Sequence, residues 1–190
     1  MIFYFGTFNP VHIGHLKIAE RIEQLYKEPV IFIPAYDSPW KPDLKENFEH
    51  RVKMIRLCGQ ACSDIEKNLP TPSYTYQTVN LLYDLFGKSW GKVKMIIGYD
   101  QYFSLPKWKR PATLKRKCQF IVIPRDNDLA RQENFFEHAK MKADGWDAHI
   151  IEMPMLNISS SEIRERLHNN EPVSYLAPQV LKYIRENNLY

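Results

Sequence analysis

No apolar run in this 190-residue chain approaches the roughly 20 residues that a membrane-spanning helix needs. Its start has neither the basic segment nor the uninterrupted apolar stretch of a signal peptide. A soluble, cytoplasmic protein with no membrane partner is therefore expected. Cysteine is scarce: Cys58, Cys62 and Cys118 leave an odd count and show no metal-ligand spacing. They read as small buried hydrophobes in a reducing compartment. Neither sign of charge dominates, since 26 Lys and Arg against 22 Asp and Glu leave a net charge of +4. That is too weak and too scattered for a nucleic-acid partner, and no basic stripe is interleaved with aromatics, although it suits phosphorylated small molecules. Repeats, low-complexity tracts and linkers are also missing. What is left is one ordinary globular domain over residues 1–190, long enough to bury roughly 70% of its unfolded-chain surface.

Within it, strand-like and helical patterns alternate, which predicts an α/β fold with a doubly wound, Rossmann-like parallel sheet flanked by helices. Strands are expected at Ile2 to Phe5, Val30 to Pro34, Val93 to Gly98, Cys118 to Pro124 and His149 to Glu152. Helices are expected from about Ile13 to Leu25, Phe48 to Cys62, Tyr74 to Phe86, Leu129 to Lys142, Ser160 to His168 and Pro178 to Asn187. In such sheets ligands lie beyond the carboxyl ends of the strands. The chemistry-bearing residues do follow strands: Gly6 to His15, Pro34 to Lys41, Gly98 to Asp100 and Ile158 to Arg164.

The first of these stretches is the most informative. Ile2-Phe3-Tyr4-Phe5 breaks at Gly6, which permits a sharp turn or a close ligand approach. Asn9-Pro10 then offers a cap and a residue preset for a helix start. His12 and His15, three apart, share a face of the first turn, and Gly14 keeps that face low. A strand, a glycine turn and a helix N-terminus with two histidines favour phosphate binding over a plain helix start with solvated histidines. The stretch Asn157-Ile158-Ser159-Ser160-Ser161-Glu162-Ile163-Arg164 fits a capping box from Ser159 to Glu162. Arg164 falls in the first helical turn, where a cation opposes the helix dipole and makes sense if an anion fills the gap. Asp100, two residues past Gly98, is placed either to accept ribose hydroxyls or to cap a helix. Trp108 is either a stacking surface for a flat ring or a core residue, and its Pro-Lys-Trp-Lys-Arg setting favours a loop. Pro72-Ser73-Tyr74-Thr75 reads as a helix start whose N–H groups could hold a carboxylate or amide.

The His-Ile-Gly-His and Ile-Ser-Ser-Ser-Glu-Ile-Arg stretches resemble the signatures of the nucleotidyltransferase superfamily, with Ser161 where threonine is usual. With Pro-Ser-Tyr-Thr, Ile-Ile-Gly-Tyr-Asp, Pro-Lys-Trp, Arg51 with Met54, the Trp40-Lys41 loop and the tail from Leu176 to Tyr190, the chain resembles the bacterial nicotinate-nucleotide adenylyltransferase family over nearly its whole length. It departs from that pattern at Phe5, Asn9, Trp40 and Lys109, the last standing where an aromatic residue is frequent.

The resemblance implies transfer of the adenylyl group of ATP to nicotinate mononucleotide, giving the dinucleotide and pyrophosphate. His12, His15 and Arg164 would be catalytic, meeting the triphosphate. Gly6, Thr7, Phe8, Gly98, Asp100, Ile158, Ser159, Ser160 and Ser161 would bind ATP, and Lys41, Ser73, Tyr74, Thr75 and Trp108 the second substrate. Mg²⁺ is expected on the triphosphate, held mainly by phosphate oxygens and water rather than by a protein metal site. Transfer to nicotinamide mononucleotide or phosphopantetheine, and a non-catalytic nucleotide sensor, stay open as alternatives. So does the oligomeric state, a homodimer included.

Overall fold

Five parallel strands run through the centre of the computed structural model, which describes residues 1–38, 47–87, 89, 91–124, 132–154 and 158–190. They are β1 (Ile2–Gly6), β2 (Val30–Pro34), β3 (Val93–Gly98), β4 (Cys118–Ile123) and β5 (Ala148–Ile150), in spatial order β2-β1-β3-β4-β5. Around them lie α1 (Ile13–Tyr26), α2 (Phe48–Leu57), α3 (Thr75–Leu82), α4 (Tyr99–Ser104), α5 (Pro111–Lys117), α6 (Gln132–Ala143), α7 (Ser160–His168) and α8 (Pro178–Glu186). The expected doubly wound α/β architecture is present. No helix among the described residues is long and apolar enough to cross a membrane.

The period-2 alternation of the strands divides the apolar residues between two cores. Ile2, Tyr4, Phe32, Ile96 and Ile121 face one side, where they meet Ile18 and Ile22 of α1, Ile55 of α2, Ile163 of α7 and Ile184 of α8. Phe3, Ile33, Met95, Ile97, Phe120 and Val122 face the other, against Val79 of α3, Tyr102 of α4, Leu114 of α5 and Met141 of α6. The strand order reverses between β1 and β3, the point where an open α/β sheet leaves a crevice for a ligand. Tyr4 pairs with Ile96, so Gly6 and Gly98 are level at the carboxyl ends of those two strands.

Several boundaries differ from the sequence-based expectations. The helix expected to reach Cys62 stops at Leu57, and Gly59 turns the chain with φ +74°. Residues 61–63 then run beside β2, with Phe32 donating its N–H to Ala61 O and Ser63 donating to Phe32 O. Cys58 and Cys62 are therefore not neighbours on one helix face. The helix expected from Tyr74 to Phe86 gives way after Leu82 to a wider π-type turn, Tyr83–Gly87. Asn9 and Pro10 do not start α1: the bond between them is cis, and His12 is the N-cap. A helix at α4 is foreshadowed only by Asp100 as an alternative cap, and α5 is not expected at all, because six or seven residues of mixed composition give no helical stripe to read.

Two buried charges brace the loops that leave β1 and β2. Arg51 on α2 is fully buried and donates through Nη1 to Thr7 O (2.8 Å), through Nη2 to Ala35 O (2.7 Å) and through Nε to Asn47 Oδ1 (2.8 Å). Burial lowers its pKa to about 10, leaving it a cation at neutral pH. Glu66 lies in a 3₁₀ turn, Ile65–Asn68, and accepts from Tyr36 N (3.1 Å), Ser73 Oγ (3.1 Å) and Thr78 Oγ1 (2.8 Å). Burial pushes its pKa above the ordinary carboxylate value of 4.5, and the three donors only partly offset that.

Arg51→Met should strand the Thr7 and Ala35 carbonyls and cost on the order of 3 kcal/mol. For a chain of this size that corresponds to a Tm about 6–12 °C lower by calorimetry, and an unchanged Tm would show the brace to be dispensable. The raised Glu66 pKa means that the folded chain holds this proton more tightly than the unfolded one. Its contribution to stability should therefore decline as pH rises from 4.5 toward the raised value, then level off. Denaturant titrations of wild type and Glu66→Gln across that range should show the slope in the first and its loss in the second.

Candidate active site

Beyond β1 the chain folds back on itself. Phe8 takes φ +52°, and its ring lies against Gly6 so closely that a Cβ there would meet the ring at 2.6 Å. Gly6 is thus required first by Phe8, whose buried ring packs edge-on to Tyr4 and His15 and against Phe32. Phe8 belongs to the core by its side chain.

His12 and His15 come together as their spacing suggested. Their rings stack with centroids 3.7 Å apart and planes 30° from parallel. His15 Nδ1 accepts from the His12 N–H at 3.3 Å, so in the neutral ring the proton resides on Nε2. Gly14 makes room for this pair: a Cβ there would sit 3.0 Å from His12 Nδ1. The histidine stack therefore depends on Gly14, a role more specific than keeping the helix face low.

The α7 start reaches the same loop from 150 residues away. Ser160 Oγ donates to Pro10 O at 3.0 Å, and Arg164 Nη1 donates to Asn9 O at 2.7 Å. Arg164 Nη2 also donates to Ser161 Oγ at 3.3 Å. Ser159 is the N-cap and accepts from Glu162 N at 3.1 Å, as expected. The reciprocal half of a capping box is not made, because the Glu162 carboxylate pairs with Arg166 instead. Asn9 gathers more of the chain, its Oδ1 accepting from Asn47 Nδ2 (3.3 Å) and from the Tyr190 hydroxyl. His12, His15, Ser160, Ser161 and Arg164 are thus assembled around one loop, with Ile158 and Ser159 leading into it.

Asp100 is exposed on the first turn of α4, whose N-cap is Gly98 rather than Asp100 itself. Its carboxylate curls back over Gly98, where an added Cβ would lie 2.7 Å from Oδ1. It stands at the end of β3, beside the β1 turn.

A cavity of about 840 Å³ opens on the other side of Gly6 and Thr7. Ser73, Tyr74 and Thr75 form one wall, at the N-terminus of α3, where Ser73 N donates to Asp37 O (2.8 Å) and Tyr74 N to Gln77 Oε1 (2.7 Å). Trp108 forms another, and its Nε1–H donates to Ser104 Oγ at 2.8 Å, which fixes the indole. The expected second-substrate residues therefore share one cavity, except Lys41, which lies outside the described residues. His12, His15, Asp100 and Arg164 do not line it; they belong to the adjoining half, across the Gly6-Thr7 backbone.

Sequence reasoning did not single out Glu66, Asn47 or Gln101. Glu66 lines the cavity and holds Ser73, and only a buried acidic residue in a short 3₁₀ turn could have signalled it. No group of three or more His, Cys, Asp or Glu among the described residues could hold a metal ion.

Comparison with known proteins bears on this arrangement. Residues 3–166 match the model of the cytidylyltransferase-like family. A "probable nicotinate-nucleotide adenylyltransferase" of Flavobacterium psychrophilum is 35% identical, over 98% of this chain and 96% of that protein. One of the same name from Carboxydothermus hydrogenoformans is 37% identical, over 97% and 94%. The structure of a Plasmodium falciparum nicotinic acid mononucleotide adenylyltransferase complexed with NaAD superposes with a TM-score of 0.78 at 19% identity, covering 100% of this chain and 96% of that one, a likeness of fold. Full-length identity above 30%, on a fold that gathers both histidines and Arg164 at one loop, identifies the chain as a member of the cytidylyltransferase-like family, in its nicotinate-nucleotide adenylyltransferase branch.

Proposed function

We propose that the two adjoining halves hold ATP and nicotinate mononucleotide, and that the chain transfers the adenylyl group from the first to the second. A 5′-phosphate oxygen of the mononucleotide attacks the α-phosphorus of ATP, one P–O bond forms, and the bond to the bridging oxygen breaks to release pyrophosphate. The attacking oxygen is already anionic, so no protein nucleophile is required. Alignment and stabilisation of charge on the α-phosphate oxygens and the leaving pyrophosphate supply the catalysis.

The observation that carries this reading is the meeting of the stacked histidines with Arg164 and Ser160 on the Asn9–Pro10 carbonyls. His15 Nε2–H donates to the α-phosphate, with His12 beside it. The two hydrogen bonds described for Arg164 use two of its five N–H groups, and the others meet the β- and γ-phosphates together with Ser161 and the α7 N-terminus from Ile158 and Ser159. The Gly6, Thr7 and Phe8 backbone borders the nucleotide, and Gly98 lets it approach while Asp100 accepts the ribose hydroxyls. ATP enters as its magnesium complex, the ion carried by phosphate oxygens and water. Trp108 stacks on the pyridine ring and the Thr75 N–H holds its substituent, the Ser73 and Tyr74 N–H groups being committed to Asp37 O and Gln77 Oε1. Lys41 is assigned to the mononucleotide phosphate.

His15→Ala should lower kcat by about 10²–10³, read as pyrophosphate release under saturating substrates. A loss of only a few-fold would remove His15 from the mechanism. Among acceptors, nicotinate mononucleotide should be used in preference to nicotinamide mononucleotide, and phosphopantetheine should be inert. Tight ATP binding without turnover on any of the three would make the chain a nucleotide sensor instead.

A further inference from the structure

Among the described residues, four charged ones line the 840 Å³ cavity: Glu66, Lys107, Lys109 and Arg110. Glu66 is committed to Tyr36, Ser73 and Thr78 and contributes little free negative charge. The lining is therefore strongly biased toward an anion. The three cations are not equivalent. Arg110 adopts φ +54° as the N-cap of α5, and its guanidinium lies over the Tyr76 ring, 5.0 Å from the centroid. Lys109 Nζ lies over the Tyr74 ring instead, 5.3 Å from its centroid. Tyr74 is the N-cap of α3, flanked by Ser73 and Thr75 on the cavity wall. Lys109 also follows directly on Trp108, whose indole is anchored to Ser104. Its stem thus starts beside the ring that would stack on the substrate, and its ammonium ends beside the wall facing the ring's substituent. Among the described residues Lys109 has no carboxylate partner; only an aromatic face holds it. A ring face holds an exposed ammonium less strongly than a carboxylate does.

We propose that Lys109 is a specificity-determining residue: its ammonium leaves Tyr74 for the carboxylate on the pyridine ring and so favours the acid over the amide. The inference rests on the substrate reading above and deepens it. The amide is neutral at that position and gains nothing from the charge, whereas the 5′-phosphate is common to both mononucleotides. Discrimination is a difference between two transition-state affinities, so a residue that touches only the distinguishing group changes the ratio and spares the poorer substrate.

The test is kcat/KM for nicotinate mononucleotide and for its amide with wild type, Lys109→Met and Lys109→Arg. Lys109→Met should lower kcat/KM for the acid about tenfold and leave the amide unchanged, so that turnover of the amide also reports correct folding. Lys109→Arg should keep most of the preference. Added salt should raise KM for the acid in wild type more than in Lys109→Met. Equal losses with both substrates would place the charge on their shared phosphate and overturn the proposal, as would an acid/amide ratio that does not change. Wild type inactive toward both mononucleotides would remove the reaction itself, and this inference with it.

Discussion

The site depends on how one short loop, Thr7 to Pro10, is held. Its backbone carbonyls would be costly to bury without donors. Arg51 reaches Thr7 O from α2, while Arg164 and Ser160 reach Asn9 O and Pro10 O from α7. Two guanidinium groups, one from α2 and one from α7, fix its path and hence the position at which α1 begins. Everything downstream follows from that start: His12 as N-cap, His15 one turn on, and the stack that Gly14 makes room for. Arg164 thus does two things at once. It holds the loop that carries the histidines and it presents its remaining N–H groups where the phosphates are assigned, so its geometry is set before any ligand arrives.

What the residues disclosed and what they hid follow from range. Strands such as β1 and β2 were legible because both faces are largely buried, which makes Ile2–Phe5 and Val30–Pro34 continuous apolar runs. The α7 cap was legible because Ser159 and Glu162 are local partners. The end of α2 was not, since Gly59 acts through a left-handed φ that an apolar stripe running on to Cys62 disguises. Nor was the role of Gly6, because the ring that excludes a Cβ belongs to a residue two positions on that folds back only after its own positive φ. His12, His15 and Arg164 stood out by type and spacing, and the cavity residues through the family resemblance; Glu66 and Asn47 stood out by neither. Their partners, Tyr36, Ser73 and Thr78 for one and Asn9 and Arg51 for the other, are set by tertiary contact rather than by pattern.

The two halves differ in how they treat charge. The histidine half relies on helix N-termini and on cations already bonded to backbone, an arrangement suited to a ligand of high, spread-out negative charge. The cavity half is aromatic, with cations resting on tyrosine faces at its mouth. Gly6 and Thr7 line the cavity and lead directly into the turn that carries the histidines, so the two halves meet at that stretch of chain.

Asn9 joins the early chain to its late part, through Arg164 and the hydroxyl of Tyr190. During synthesis the histidines emerge long before the groups that lock their loop. A ribosome-bound chain that has made the sheet but not yet α7 and α8 would carry both histidines on an unbraced turn. The turn that carries both histidines therefore reaches its braced form only once α7 and α8 have been made.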